Sequence, residues 1–140
     1  MNDSKITVPI KIENAYDLEA FELGEKKQDQ IRQLTITALV DTNAWLLYLD
    51  PDSIKQLSLR FFKEIPMATA TGIINRRVFR NAFLTILDRS CPIEVIEING
   101  KNPALVGRLP LDTLDLVIDP QTRTVISNPE HKGEMVLDLF

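Results

Sequence analysis

Ile6, Val8, Ile10 and Ile12 alternate with Lys5, Thr7, Pro9 and Lys11. That period of two predicts a half-buried strand, and Pro9, which cannot donate to a ladder, marks an edge or a bulge in it. Residues 13–30, ENAYDLEAFELGEKKQDQ, are polar with one glycine and read as a long hairpin arm or a loop. A second strand runs from about Ile31 to Val40 and places Leu34, Ile36, Ala38 and Val40 on one face. Asp50-Pro51-Asp52-Ser53 is a helix start, with Asp50 as cap and Pro51 in the first turn, and IKQLSL after it is short and amphipathic. MATATGIINRRVFRNAFLTIL reads as strand, turn at Gly72, strand. CPIEVIEINGK adds a strand that ends at the tight-turn pair Asn99-Gly100, and Pro103 restarts the chain before ALVG. Pro110, with Leu111, Leu114 and Leu116 at helical spacing, predicts a short helix, and the alternation in LVIDPQTRTVI predicts a hairpin after it. EHKGEMVLDLF is a polar link and a possible terminal strand. The pattern is mostly β with two short helices, which points to a small closed or sandwiched barrel.

Composition narrows the chemistry. A chain of 140 residues with 44% hydrophobic and 26% charged residues is one domain's worth of ordinary globular sequence, and no internal repeat divides it. No apolar run approaches the roughly 18 residues of a membrane span. The N-terminal stretch MNDSKITVPIKIEN lacks a basic, then continuously apolar, leader, so the expectation is a cytoplasmic protein without a membrane partner. With one cysteine, Cys91, and one histidine, His131, neither an internal disulfide nor a cysteine or multi-histidine metal site is expected, and no cofactor is needed. The net charge of −4 leaves Arg76, Arg77 and Arg80 as the one basic patch; they read as a solvated hairpin face rather than a nucleic-acid surface. Cys91 reads as an inert small residue, His131 as exposed and idle, and Trp45 as core.

The chemistry-bearing stretch is TITALVDTNAWLLYLDPDS, residues 35–53. Apolar and β-branched residues lead directly into Asp41, and a carboxylate at the end of a buried strand is costly unless it is hydrogen-bonded, paired or used. A structural turn residue capping the Thr42-Asn43 bend is one use of such an aspartate. The sequence supplies another. ALVDTNA at 38–44 resembles the Ala-Leu-Val-Asp-Thr-Gly-Ala active-site stretch of the retropepsin-like aspartic proteases, and ALVGR at 104–108 resembles their second element. Between the two come a short helix, a hairpin in the place of the flap and a further strand; a helix and the LVIDPQT hairpin follow, as in the bacterial single-domain relatives. The similarity spans about residues 5–129, and 130–140 form a tail.

The resemblance implies a single retropepsin-like domain over 1–140, a closed half-pepsin β-barrel that pairs as a twofold homodimer. It implies aspartic-type hydrolysis of peptide bonds in a peptide or protein substrate. In that class two carboxylates about 3 Å apart share one proton, because two like charges so close cannot both ionise. Asp41 is then half of the dyad, since Asp112-Thr113, the other Asp-Thr pair, sits on a predicted helix with no buried strand before it. Thr42, Asn43, Ala44, Val106, Gly107 and Arg108 become the support of the site, and Ala70, Thr71 and Gly72 the flap tip. Asn43 stands where the family has glycine, and its amide is placed to hydrogen-bond Asp41. Trp45 and Leu46 follow the motif where retroviral members often carry acids, so Arg108 lacks the partner they would provide. An alternative reading keeps the fold and loses the cleavage: a dimer whose cleft binds a peptide or protein.

Overall fold

The computed structural model describes residues 5–100 and 102–137. It is mostly β. In chain order the elements are β1 (Thr7–Asn14), α1 (Ala15–Glu22), β2 (Gln33–Val40), β3 (Leu47–Leu49), α2 (Pro51–Gln56), β4 (Arg60–Thr69), β5 (Gly72–Ile86), β6 (Arg89–Glu97), β7 (Leu105–Val106), α3 (Arg108–Thr113), β8 (Leu116–Asp119) and β9 (Thr124–Ser127). β1 pairs with β2 on one side and β5 on the other, so the order β1-β2-β7-β3-β6-β5 returns to its start as a ring. β4 hangs outside the ring on β5, and β8–β9 is a separate hairpin.

The alternation in β1 turns Val8, Ile10 and Ile12 inward, each at most 2% exposed. Pro9 falls where β1 has β2 alone as neighbour, because β5 joins only from Lys11 onward, so its missing N–H leaves no gap on the β5 side. β3 is buried on both faces. Leu47 and Leu49 enter the main core beside Leu84, Val95 and Val106, whereas Tyr48 joins a second cluster with Val78, Ile96 and Ile98. Capping at α2 follows the sequence: the Asp50 carboxylate accepts from the Ser53 amide at 3.3 Å, and Pro51 opens the helix.

The stretch expected to be a hairpin arm or a loop holds a helix, α1, so the described residues contain three α-helices rather than two. Asn14 caps it, accepting from the Asp17 amide at 3.0 Å, while its own amide donates to the Leu57 carbonyl at 2.8 Å. The inward residue of this helix is a carboxylate. Asp17, 1% exposed, accepts from Lys26 Nζ at 2.6 Å, from Arg32 Nε and Nη2 at 2.7 and 2.9 Å, and from the Arg32 amide at 3.0 Å. An apolar stripe is therefore missing from the sequence, and periodicity could not reveal the helix.

The hairpin at Gly72 forms as expected but is longer, with Thr69 opposite Gly72 and the pairing extending back to Arg60. Gly72 has φ +130°, which favours glycine, and Thr69 Oγ1 donates to its carbonyl at 2.7 Å. On this hairpin Arg77 grips Glu97 through two bonds of 2.9 and 2.6 Å, Arg76 donates to Asn99 Oδ1 at 2.8 Å, and Arg80 lies 3.4 Å over the Phe62 ring. The arginines are occupied locally.

α3 starts at Arg108, before Pro110, and Leu116 belongs to β8 rather than to the helix. After β9 a short 3-10 turn spans Pro129–His131. Residues 134–137 form no strand; the last three positions of the expected terminal strand, 138–140, lie outside the described residues. Among the described residues, no helix is long and apolar enough to cross a membrane.

Candidate active site around Asp41

β7 holds the site in place. It lies between β2, to which it is parallel, and β3, to which it is antiparallel, so both ends of the loop 41–46 flank it. Asp41 leaves β2 with its amide donating to the Val106 carbonyl at 3.0 Å, and Ala44 turns the loop by donating to the Asp41 carbonyl at 3.0 Å. Three further bonds tie the loop to the segment after β7. Gly107 donates to Leu46 O at 2.8 Å, Arg108 to Ala44 O at 3.0 Å and Leu109 to Trp45 O at 2.9 Å. The last two donors belong to the first turn of α3, whose amides have no partner within the helix, and the loop carbonyls satisfy them.

Gly107 is there for space rather than for torsion. Its φ is −90°, open to any residue, but a Cβ would stand 2.6 Å from the Trp45 carbonyl carbon and 2.7 Å from the Ala44 carbonyl carbon and oxygen. Backbone lies on backbone, and a side chain would have to push the loop away. Val106, fully buried, fills the space behind it.

The Asp41 carboxylate is half-buried at the mouth of this loop, while Thr42 and Asn43 are exposed. Asp41 Oδ1 accepts from the backbone N–H of Asn43 at 2.9 Å, the local turn that aspartate forms readily. The expected hydrogen bond from the Asn43 side-chain amide is not what the structure shows: the main chain donates, as glycine could do equally well. The φ of Asn43 is not positive, so glycine's torsional freedom is not required there.

Trp45, expected in the core, is 52% exposed. Its carbonyl turns in to Leu109 and its side chain goes out. Arg108 is exposed and joins no ion pair among the described residues. Ala44 and Leu46 pack on the second apolar cluster, as do Phe62, Ile65 and Met67 of β4. That cluster connects the Asp41 loop to the hairpin whose tip is Ala70, Thr71 and Gly72, all exposed. The structure thus joins residues 41–44 with 106–108 directly and links them to the hairpin through its base, while Asp112 and Thr113 lie at the far end of α3. Leu46 and Leu109 serve the site through main-chain atoms, a role that has no signature in side-chain identity.

Cys91 is buried, and burial pushes its thiol up, away from the reactive thiolate. His131 is not idle: its Nδ1 meets Asp115 Oδ2 at 2.5 Å. No protein-family model matches the chain, and no curated protein is significantly similar to it.

Proposed function

We propose that the chain is an aspartic peptidase of the retropepsin type, a twofold homodimer in which Asp41 and the partner subunit's Asp41 form the catalytic pair. One observation supports it most. The aspartate of the first motif-like element sits in a loop held by four main-chain bonds to the second and to Leu109 directly after it, with Gly107 at the point where no Cβ fits. Neither feature is needed by an aspartate that only caps a turn. The six-stranded ring fits the closed barrel of such a domain.

In this reading the ionised member of the pair takes a proton from water as it attacks the scissile carbonyl. The protonated member hydrogen-bonds the carbonyl oxygen where negative charge develops. Thr42, exposed beside Asp41, reaches across to the facing loop, and its β-branch stiffens the turn. The hairpin tip at Ala70–Gly72 covers the bound peptide. A single chain presents one carboxylate in an open loop, which accounts for its half-buried state. Sedimentation at micromolar concentration tests the assembly: a species of about twice the 15.9 kDa chain mass is expected, and a monomer under all conditions contradicts the mechanism.

Asn43 favours a second reading. Its side chain is exposed beside the carboxylate, where a substrate backbone would lie, and can crowd the cleft enough that the dimer binds a peptide without cutting it. Cleavage that depends on Asp41 separates the two.

A further inference from the structure

Asp115 follows α3 with φ +55°, a left-handed position where aspartate is tolerated better than most residues. Its side chain is nearly buried and accepts three hydrogen bonds from the chain beyond β9: Asn128 Nδ2 at 3.3 Å, His131 Nδ1 at 2.5 Å and the Val136 amide at 2.9 Å. From β6, Arg89 completes the attachment. Its Nη1 donates to the Leu114 and Asp115 carbonyls at 2.9 and 3.0 Å, and its Nη2 to the Gly133 carbonyl at 2.8 Å. The attached segment contributes little apolar burial: Met135, Val136 and Leu137 are 47%, 44% and 51% exposed. Polar contacts to one carboxylate and one guanidinium hold it.

We propose that residues 129–137 are a strap latched to α3 and β6 by Asp115 and Arg89, and that it opens as a unit when Asp115 loses its charge. The hinge is Asn128, whose amide stays on the Asp115 carbonyl at 3.1 Å next to the paired end of β9. Beneath the strap a groove of about 670 Å³ runs along α3, lined by Leu109, Thr113, Leu116 and Val117, with Val136 and Leu137 along its strap side. Leu109 is also the α3 residue that donates to the Trp45 carbonyl, so the strap and the Asp41 loop share one helix.

The groups facing Asp115 are His131 from the strap, Arg89 from β6, Asn128 after β9 and, in the same groove, Asp112 of α3. The Val136 amide, then His131 and Asn128, hold the carboxyl below its usual range. Its folded value is depressed, so the contribution of the latch is complete above the ordinary carboxylate range. It is lost only as pH falls through that lower value.

Asp115→Asn keeps the size and tolerates the left-handed backbone but leaves one acceptor oxygen for three donors. In amide hydrogen exchange of the full chain at neutral pH, this variant should raise exchange over 129–137 at least tenfold and leave β5 and β6 unchanged. Unchanged strap exchange, or an equal rise in β5 and β6, overturns the proposal. The unmodified protein gives an independent reading should the variant fail to fold. The Val136 amide resonance should titrate with a midpoint below the ordinary carboxylate range, and a resonance that does not move through acid pH overturns the latch.

Discussion

Gly107, packed against the main chain of the Asp41 loop, and Asn43, exposed on that loop, make opposite demands on side-chain volume. At Gly107 an added methyl would meet the main chain of Ala44 and Trp45 at 2.6 to 2.7 Å, and backbone cannot step aside as a flexible side chain can. Gly107→Ala should therefore cost about 1–3 kcal/mol of stability by the usual scale of overpacking, read as a lower denaturant midpoint with unchanged slope. Asn43 has the reverse problem. Its backbone N–H makes the bond to Asp41, so its side chain is dispensable to the turn, and removing it opens the mouth of the loop. Asn43→Gly is expected to raise peptide cleavage while leaving the dimer intact. A gain of about 1.4 kcal/mol in transition-state binding is tenfold in rate. Slower cleavage by the Asn43→Gly variant would make Asn43 a working part of the proposed site.

Among the elements, α1 shows how far apolar patterning reaches. Strands β1 and β2 were legible because their alternation reports which face is buried, and α2 because Asp50 and Pro51 carry its start in their own chemistry. α1 was not, because its buried residue is Asp17 and its stability comes from Lys26 and Arg32, partners 9 and 15 positions away. The stretch was read as a polar arm or loop, and one of its charged side chains is the centre of an ion cluster. The same blindness applied to His131, whose partner Asp115 comes from before the β8–β9 hairpin. Asp17 yields a pH prediction. Its bonds from Arg32 hold its carboxyl far below the usual range, so its stabilising contribution is complete above about pH 5 and is lost as pH falls toward and through the depressed folded value. Asp17→Asn should lower stability at neutral pH, by about 1–3 kcal/mol for a buried charge-assisted network, and flatten the acid side of the stability curve. A variant as stable as the parent at pH 7 would show that the cluster only decorates α1.

For the molecule as a whole, the order of two short elements along the chain carried more than either did alone. ALVDT and ALVGR are separated by more than 60 residues, yet Leu39 and Val40 pair in parallel with Leu105 and Val106, and the residues that follow each interlock. The resemblance named Val106 and Gly107 as support for Asp41; the parallel pairing that brings them there is a finding of the structure. The sequence could not make legible the outward side chain of Trp45, because its exposure is set by where a carbonyl has to point, not by hydrophobicity. A carboxylate in an open loop of one chain needs a second chain to become a catalytic pair, which is why assembly and activity stand or fall together in the proposed mechanism.

The most direct measurement is cleavage of a diverse peptide library from mildly acidic to neutral pH, by the natural chain and by Asp41→Ala prepared in parallel and shown to sediment alike. Peptide-bond hydrolysis by the natural chain, reduced at least a hundredfold in Asp41→Ala, is the predicted result. Equal cleavage by both proteins would place the chemistry elsewhere, and cleavage by neither at any pH would contradict the peptidase and leave the peptide-binding dimer in its place.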